Sequence, residues 1–170
     1  AARVEIETII ADVSSTFINL PAQDIDRLIE DALGRIAVFL EADRGYLFQI
    51  RERKMSNTHE WCGSGAEPAI GRLQGIPTET FPALMGRLES FEVFAVPRVA
   101  GLPPEAHAER AEFEAEKIKS LVCVPVVSRG SLAGFIGFDW VKAEREWPAD
   151  VVALLRVAGE SFINSLERKA

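Results

Sequence analysis

Cysteine and histidine are scarce in this chain, with two of each in 170 residues. Cys62 and Cys123 stand far apart without a CxxC spacing, which excludes both a secreted disulfide framework and a zinc cage. His59 and His107 belong to no HExxH or HxxxH arrangement, so no metal site is expected. Long apolar runs are missing too. The longest uncharged stretch, Val13 to Gln23, has eleven residues and contains Pro21. A membrane-spanning helix needs about 20. Positive charge is in deficit: 19 Lys and Arg against 26 Asp and Glu leave a formal charge of -7, with no basic block. Nucleic acid and anionic membrane surfaces would repel such a chain. No repeat, P-loop, Ser/His/Asp set or paired-carboxylate site emerges. Nothing at Ala1 resembles a signal peptide, and the missing initiator Met suggests a mature or excised piece. A cytoplasmic location is the expectation.

What is present suffices for a folded core. Apolar residues make up 48% of the chain, which excludes disorder. A globule of this length removes roughly 70% of its unfolded surface from water. One domain over residues 1–170 is expected.

Two helices are read in residues 1–41. The first carries Ile6, Ile9, Ile10, Val13, Phe17 and Leu20 in steps of three and four and is stopped by Pro21. Asp24 is the expected N-cap of the second, whose apolar face includes Ile25, Ile29, Leu33 and Ile36. Residues 44–141 hold the sheet, loops and short helices. After a turn at Asp43-Arg44-Gly45 the period changes to two, giving a hairpin from Tyr46 to Cys62 with its tip at Arg51 to Lys54. Strict alternation puts Met55, Asn57, His59 and Trp61 on one face of its second strand. Gly63 to Pro77 reads as a loop, Thr78 or Thr80 to Leu88 as a short helix, Phe91 to Val96 as a strand and Glu105 to Lys119 as a charged helix. Ser120 to Ser128 and Ser131 to Val141 form a second hairpin, its first strand valine-rich on both faces and therefore central. A last helix runs over 148–168. The class is α+β, one antiparallel sheet with the terminal helices on one face and looser elements on the other.

The block Lys119-Ser120-Leu121-Val122-Cys123-Val124-Pro125-Val126, then Gly130 and Gly134-Phe135-Ile136-Gly137-Phe138-Asp139, resembles the closing hairpin of the GAF family. Trp147 to Leu155 matches the aromatic, spacer and Leu-rich helix that end that fold. Asn57 to Cys62, Pro77, Phe81-Pro82 and Leu102 to Ala106 are similar to a subgroup found in bacterial multidomain sensors. The resemblance implies a GAF/PAS-like sheet of about six strands with terminal helices on one face, often pairing into a dimer. A loop-covered pocket lies on the other face. It also implies a covalently linked output domain, such as a histidine kinase or a diguanylate cyclase. It names no cofactor and no ligand, because the fold hosts many.

His59, Trp61, Phe94, Phe113, Cys123 and Asp139 are the residues expected at that pocket, around an unidentified small molecule. Asp139, inside an apolar strand, must find a partner; an arginine or a ligand would serve. The cGMP-binding pattern is absent from Trp140 to Asp150, and neither cysteine is followed by the histidine of phytochrome-type bilin attachment. For a haem, His59 alone is placed to ligate; the plainer role is a hydrogen-bonded wall residue. Two alternatives stand beside a sensor without catalysis. One is a ligand-free dimerisation scaffold; in either reading Ile10, Phe17, Val152 and Phe162 are the expected helical dimer seam. The other is a thiol enzyme like the free methionine sulfoxide reductases of the family, which requires Cys62 and Cys123 to meet.

Overall fold

The computed structural model describes residues 2–169; residues 1 and 170, the ends of the expected domain, lie outside it. Helices α1 (Ala2–Thr16) and α2 (Ile25–Leu40) precede strands β1 (Arg44–Arg51), β2 (Lys54–Cys62) and β3 (Ile76–Pro77). Helix α3 (Pro82–Glu89), strand β4 (Phe94–Val96) and helix α4 (His107–Ala115) follow. The long hairpin β5 (Ser120–Ser128) and β6 (Ser131–Trp140) leads into helix α5 (Ala149–Lys169). The strands form one six-stranded sheet in the order β3-β2-β1-β6-β5-β4. All neighbours are antiparallel, so the two hairpins are joined through their inner strands, β1 and β6.

Both hairpin tips fold as the sequence leads one to expect. Glu52 and Arg53 have φ of 51° and 60°, and Arg129 and Gly130 have φ of 53° and 79°. Two consecutive left-handed residues match the right-handed twist of the flanking strands.

Alternation along the strands divides the core in two. On one face Leu47, Val122, Val124, Val126, Ile136 and Phe138 pack against α1, α2 and α5. On the other, Tyr46, Phe48, Met55, Phe94, Cys123 and Phe135 pack against α3, α4 and the loops. Strand β5 is buried on both sides, which accounts for its valine run.

Several expectations need correction. Asp24 does hold the N-cap position of α2, but it lies in a 3-10 turn and its carboxylate makes no cap bond, meeting Arg27 at 3.4 Å instead. The charged helix is shorter than read, ending before Lys117, whose φ is 61°. The Gly63 to Pro77 loop includes the two-residue β3, which pairs with Lys54 and Met55. Ile10, Phe17 and Phe162 are not an external seam. All three are buried, with Phe17 and Phe162 edge to face at 5.3 Å beneath the helices, and Val152 is half-buried.

The largest correction lies in β2. Leu47 pairs with His59 but Phe48 pairs with Asn57, leaving Thr58 as an extra residue. Such a bulge moves every side chain beyond it to the opposite face. Met55 and Asn57 therefore share a face with Glu60, while His59 and Trp61 turn toward the helices. Trp61 lies against Gly34 of α2, where a Cβ would come within 2.8 Å of the indole.

Candidate functional site

Between the loop-side face of the sheet, α3, α4 and the segment around Ala69 and Leu73 lies a cavity of about 50 Å³. Its apolar wall includes Tyr46, Phe48, Met55, Phe81, Phe113 and Phe135. Phe48 and Phe135, opposite one another on β1 and β6, stack at 4.7 Å. Its polar wall is Arg44, Asn57, Glu60, Glu112, Glu116 and Asp139.

Arg44 organises this wall. It is 2% exposed, and its guanidinium donates through Nε to Asp139 Oδ2 at 2.9 Å and through Nη2 to Glu116 Oε1 at 2.9 Å. Nη1 donates to the Glu67 carbonyl at 2.6 Å. A buried guanidinium needs such saturation, because its desolvation is otherwise uncompensated. Burial pulls the Arg44 pKa down, but Asp139 and Glu116 more than offset that and hold it charged. Tyr46 donates its hydroxyl to the other Asp139 oxygen, Oδ1, at 2.8 Å. The ring occupies the space that a side chain at Gly137 would fill, where a Cβ would overlap the ring. Burial pushes the Asp139 carboxyl up, and Arg44 and Tyr46 only partly restore it.

Glu112 and Glu116 lie one turn apart along the chain at α4, and Arg72 donates to Glu112 at 2.9 Å. Burial, followed by the hydrogen bond with Glu112, raises the Glu116 pKa to about 9. Burial works against ionisation of Glu112 as well, but bonds with Glu116 and Arg72 leave its pKa below the ordinary value. The two carboxyls titrate as a pair, and burial favours the proton on Glu116. On β2, Glu60 accepts the N–H groups of Ala69 and Ile70 and so ties the covering loop to the sheet.

The expected site residues divide between the two faces. Asp139 and Phe113 line the cavity. Phe94 stands behind Phe113, with ring centroids 6.3 Å apart, and Cys123 is buried with its Sγ 3.7 Å from the Tyr46 hydroxyl; neither is in the cavity wall. His59 and Trp61 are corrected to the helix side by the Thr58 bulge. There His59 Nε2 meets Asp26 Oδ1 at 2.7 Å and Nδ1 meets Thr58 Oγ1 at 2.8 Å. Both ring nitrogens are occupied, as befits a wall residue. Arg44, Tyr46, Asn57, Glu60, Glu112 and Glu116 were not anticipated; the one usable signal was the partner that Asp139 demanded. Among the described residues no group of three or more His, Cys, Asp or Glu could hold a metal ion. Among them, too, no helix is long and apolar enough to cross a membrane.

The GAF domain family model matches residues 24–166, which include the whole sheet and every residue of the cavity wall. The chain belongs to the GAF family. GAF domains are typically sensory modules. This one is 33% identical over 172 residues to the methanogenesis regulatory histidine kinase FilI of Methanothrix harundinacea, covering 93% of the chain. It spans 19% of that relative's length. Among solved structures it is similar to a far-red-absorbing dark-state domain with bound biliverdin IXa, at a TM-score of 0.74 and 17% identity. That match covers 95% of this chain and 98% of the other. The phycoerythrobilin-bound GAF domain of a cyanobacterial phytochrome gives 0.75 at 14% identity, over 96% and 95% of the two chains. At these identities the likeness concerns the fold: a six-stranded antiparallel sheet with helices, of the GAF kind.

Proposed function

We propose that this GAF domain, with the whole chain as one such module, is the regulatory small-molecule sensor of a cytoplasmic signalling protein. Occupancy of the cavity biases the packing of α1 and α5 and thereby a dimeric output domain, such as a histidine kinase or a diguanylate cyclase. The observation that carries the reading is the cavity itself. Aromatic rings form one wall, and a buried, hydrogen-bonded charge network held by Arg44 forms the other. A few directed polar groups within an apolar concavity are what a small ligand needs for affinity and orientation. The curated relative is itself a regulatory kinase, which supports this assignment. A ligand that favours one loop arrangement by about 1–3 kcal/mol gives a usable switch.

The small volume argues for a compact ligand. At about 50 Å³ it is well short of the roughly 300–1,000 Å³ of typical drug-sized pockets. A bilin, as bound by the structural neighbours, would require the covering loop to be displaced. The thiol-enzyme reading has little support. Neither cysteine lines the cavity, burial raises the Cys62 pKa to about 11, and burial raises Cys123 further still. A catalytic thiolate needs the opposite shift.

Native mass spectrometry of the freshly purified domain, against its denatured mass, tests the reading. The expected result is an excess mass that disappears on denaturation, on a dimeric species. A bare mass favours a ligand-free dimerisation scaffold.

A further inference from the structure

Hydrogen-bonding capacity in the cavity is unbalanced. The donors are spent: Arg44 serves Asp139, Glu116 and the Glu67 carbonyl, and the Tyr46 hydroxyl serves Asp139. Acceptors are in excess. Four carboxyl groups line the space with one base, Arg44, and with the proton on Glu116 three of them, Glu60, Glu112 and Asp139, remain purely acceptors. Arg72, which pairs with Glu112 and Glu116, is outside the cavity wall.

Asn57 supplies a second and independent observation. It is 1% exposed and lines the cavity, yet its Oδ1 has no hydrogen-bond partner. The orientation of the amide is set by its neighbour. Nδ2 lies 3.2 Å from Glu60 Oε2, which already accepts from the Ala69 N–H, so the amide nitrogen must face the carboxylate. Oxygen is therefore the free end. Buried side-chain oxygens of folded proteins nearly always have a donor, so this one calls for a donor from outside the chain.

We propose that the cavity binds a small organic ammonium ion with an aromatic or apolar body, its N–H groups reaching Asn57 Oδ1 and the neighbouring carboxyl groups. This deepens the sensing reading and rests on it. The body would lie against Phe48, Phe81, Phe113 and Phe135, whose ring faces attract cations as well as apolar groups. A water molecule would satisfy Asn57 but leave the carboxyl excess and the rings unmatched. An anion would meet a single guanidinium whose donors are already committed.

Three probes of one shape and different charge test this: 2-phenylethylammonium, 2-phenylethanol and phenylacetate. Each is titrated calorimetrically into the full chain after dialysis has removed co-purified small molecules. The ammonium is expected to bind at least tenfold more tightly than the alcohol, with no measurable heat from the carboxylate. Asn57→Leu and Glu60→Gln should each weaken the ammonium tenfold or more and leave the alcohol within twofold. The melting temperature of Asn57→Leu, unchanged or raised, shows that the fold survives; should it fall, Glu60→Gln alone carries the test. Equal affinities, or a preference for the carboxylate, overturn the proposal while leaving a sensing cavity intact. Binding of none of the three also overturns it; the sensing reading then stands or falls on the native mass.

Discussion

On the helix face of the sheet, Val124, Ile136 and Phe138 meet Leu33, Ala158 and Phe162, and nearly all that is buried there is hydrocarbon. On the loop face the same strands present Tyr46, Cys123, Phe135 and Asp139 to a thinner cover that includes two short helices. The faces are built from alternate residues of the same chain, so their difference is one of purpose rather than of location. The helix face is close-packed around Ala158 and Phe162, and a space of about 310 Å³ opens only toward its end, between Ile6, Leu40, Trp140, Trp147 and Val151, where no buried charge network lines it. The loop face accepts charge desolvation at Arg44, a coupled pair of carboxyls at Glu112 and Glu116, and an unpartnered oxygen at Asn57. Costs of that kind belong where a ligand can relieve them.

The sharpest way to break this comparison is to remove Arg44. Arg44→Met leaves Asp139 buried without its cation and Glu116 without its hydrogen-bond donor, and should cost about 3–5 kcal/mol in urea denaturation. Restoring neutrality with Asp139→Asn in the same chain should recover part of that loss. Phe162→Ala on the helix face should cost a similar amount, about 3–5 kcal/mol, through cavity creation alone, with no change in cavity ligand. If Phe162→Ala abolished ligand retention while remaining folded, the separation of roles between the faces would fail.

A smaller effect tests the coupled pair. The Glu116 pKa is raised on folding from 4.5 to about 9, by burial and then by Glu112, with Asp139 raising it further and Arg44 opposing. Its stabilising contribution is full below the unfolded value and is lost as pH rises toward 9. Stability measured between pH 5 and 9 should therefore decline by about 1–3 kcal/mol more in the natural chain than in Glu116→Gln. Parallel profiles would remove Glu116 as the proton holder. The smallest expected effect is a gain: Asn57→Leu, which removes the unpartnered oxygen, should raise stability by about 0.5–1.5 kcal/mol.

Much of the architecture was legible because it rests on local rules. The steps of three and four in Ile25 to Leu40 specify α2, and the turn at Arg129-Gly130 specifies the second hairpin. The valines of β5 foretold burial on both faces. Most of the site was not legible, for identifiable reasons. Period-two alternation assumes an uninterrupted ladder, and nothing in the composition of Asn57-Thr58-His59 announces the extra residue that exchanges His59 for Glu60 at the cavity. Arg44 reads as part of a turn with Asp43 and Gly45. In the structure Asp43 ends the connection by accepting the N–H groups of Val141 and Lys142, so the strand begins at Arg44 itself. Glu112 and Glu116 follow a helix whose apolar residues are few, and they looked like a solvated face. The buried Arg44, from a strand distant in sequence, is the main reason Glu116 lies inside. Asp139 is the exception, since a carboxylate in an apolar strand declares its need of a partner from composition alone.

The central claim is that the loop face holds a small molecule and the helix face does not. Native mass spectrometry of Phe113→Ala beside Trp61→Ala tests it most directly, because these aromatics flank the sheet on opposite sides. The account predicts that Trp61→Ala keeps the excess mass of the natural chain while Phe113→Ala, folded by circular dichroism, loses it. Retention by Phe113→Ala with loss from Trp61→Ala would contradict the account.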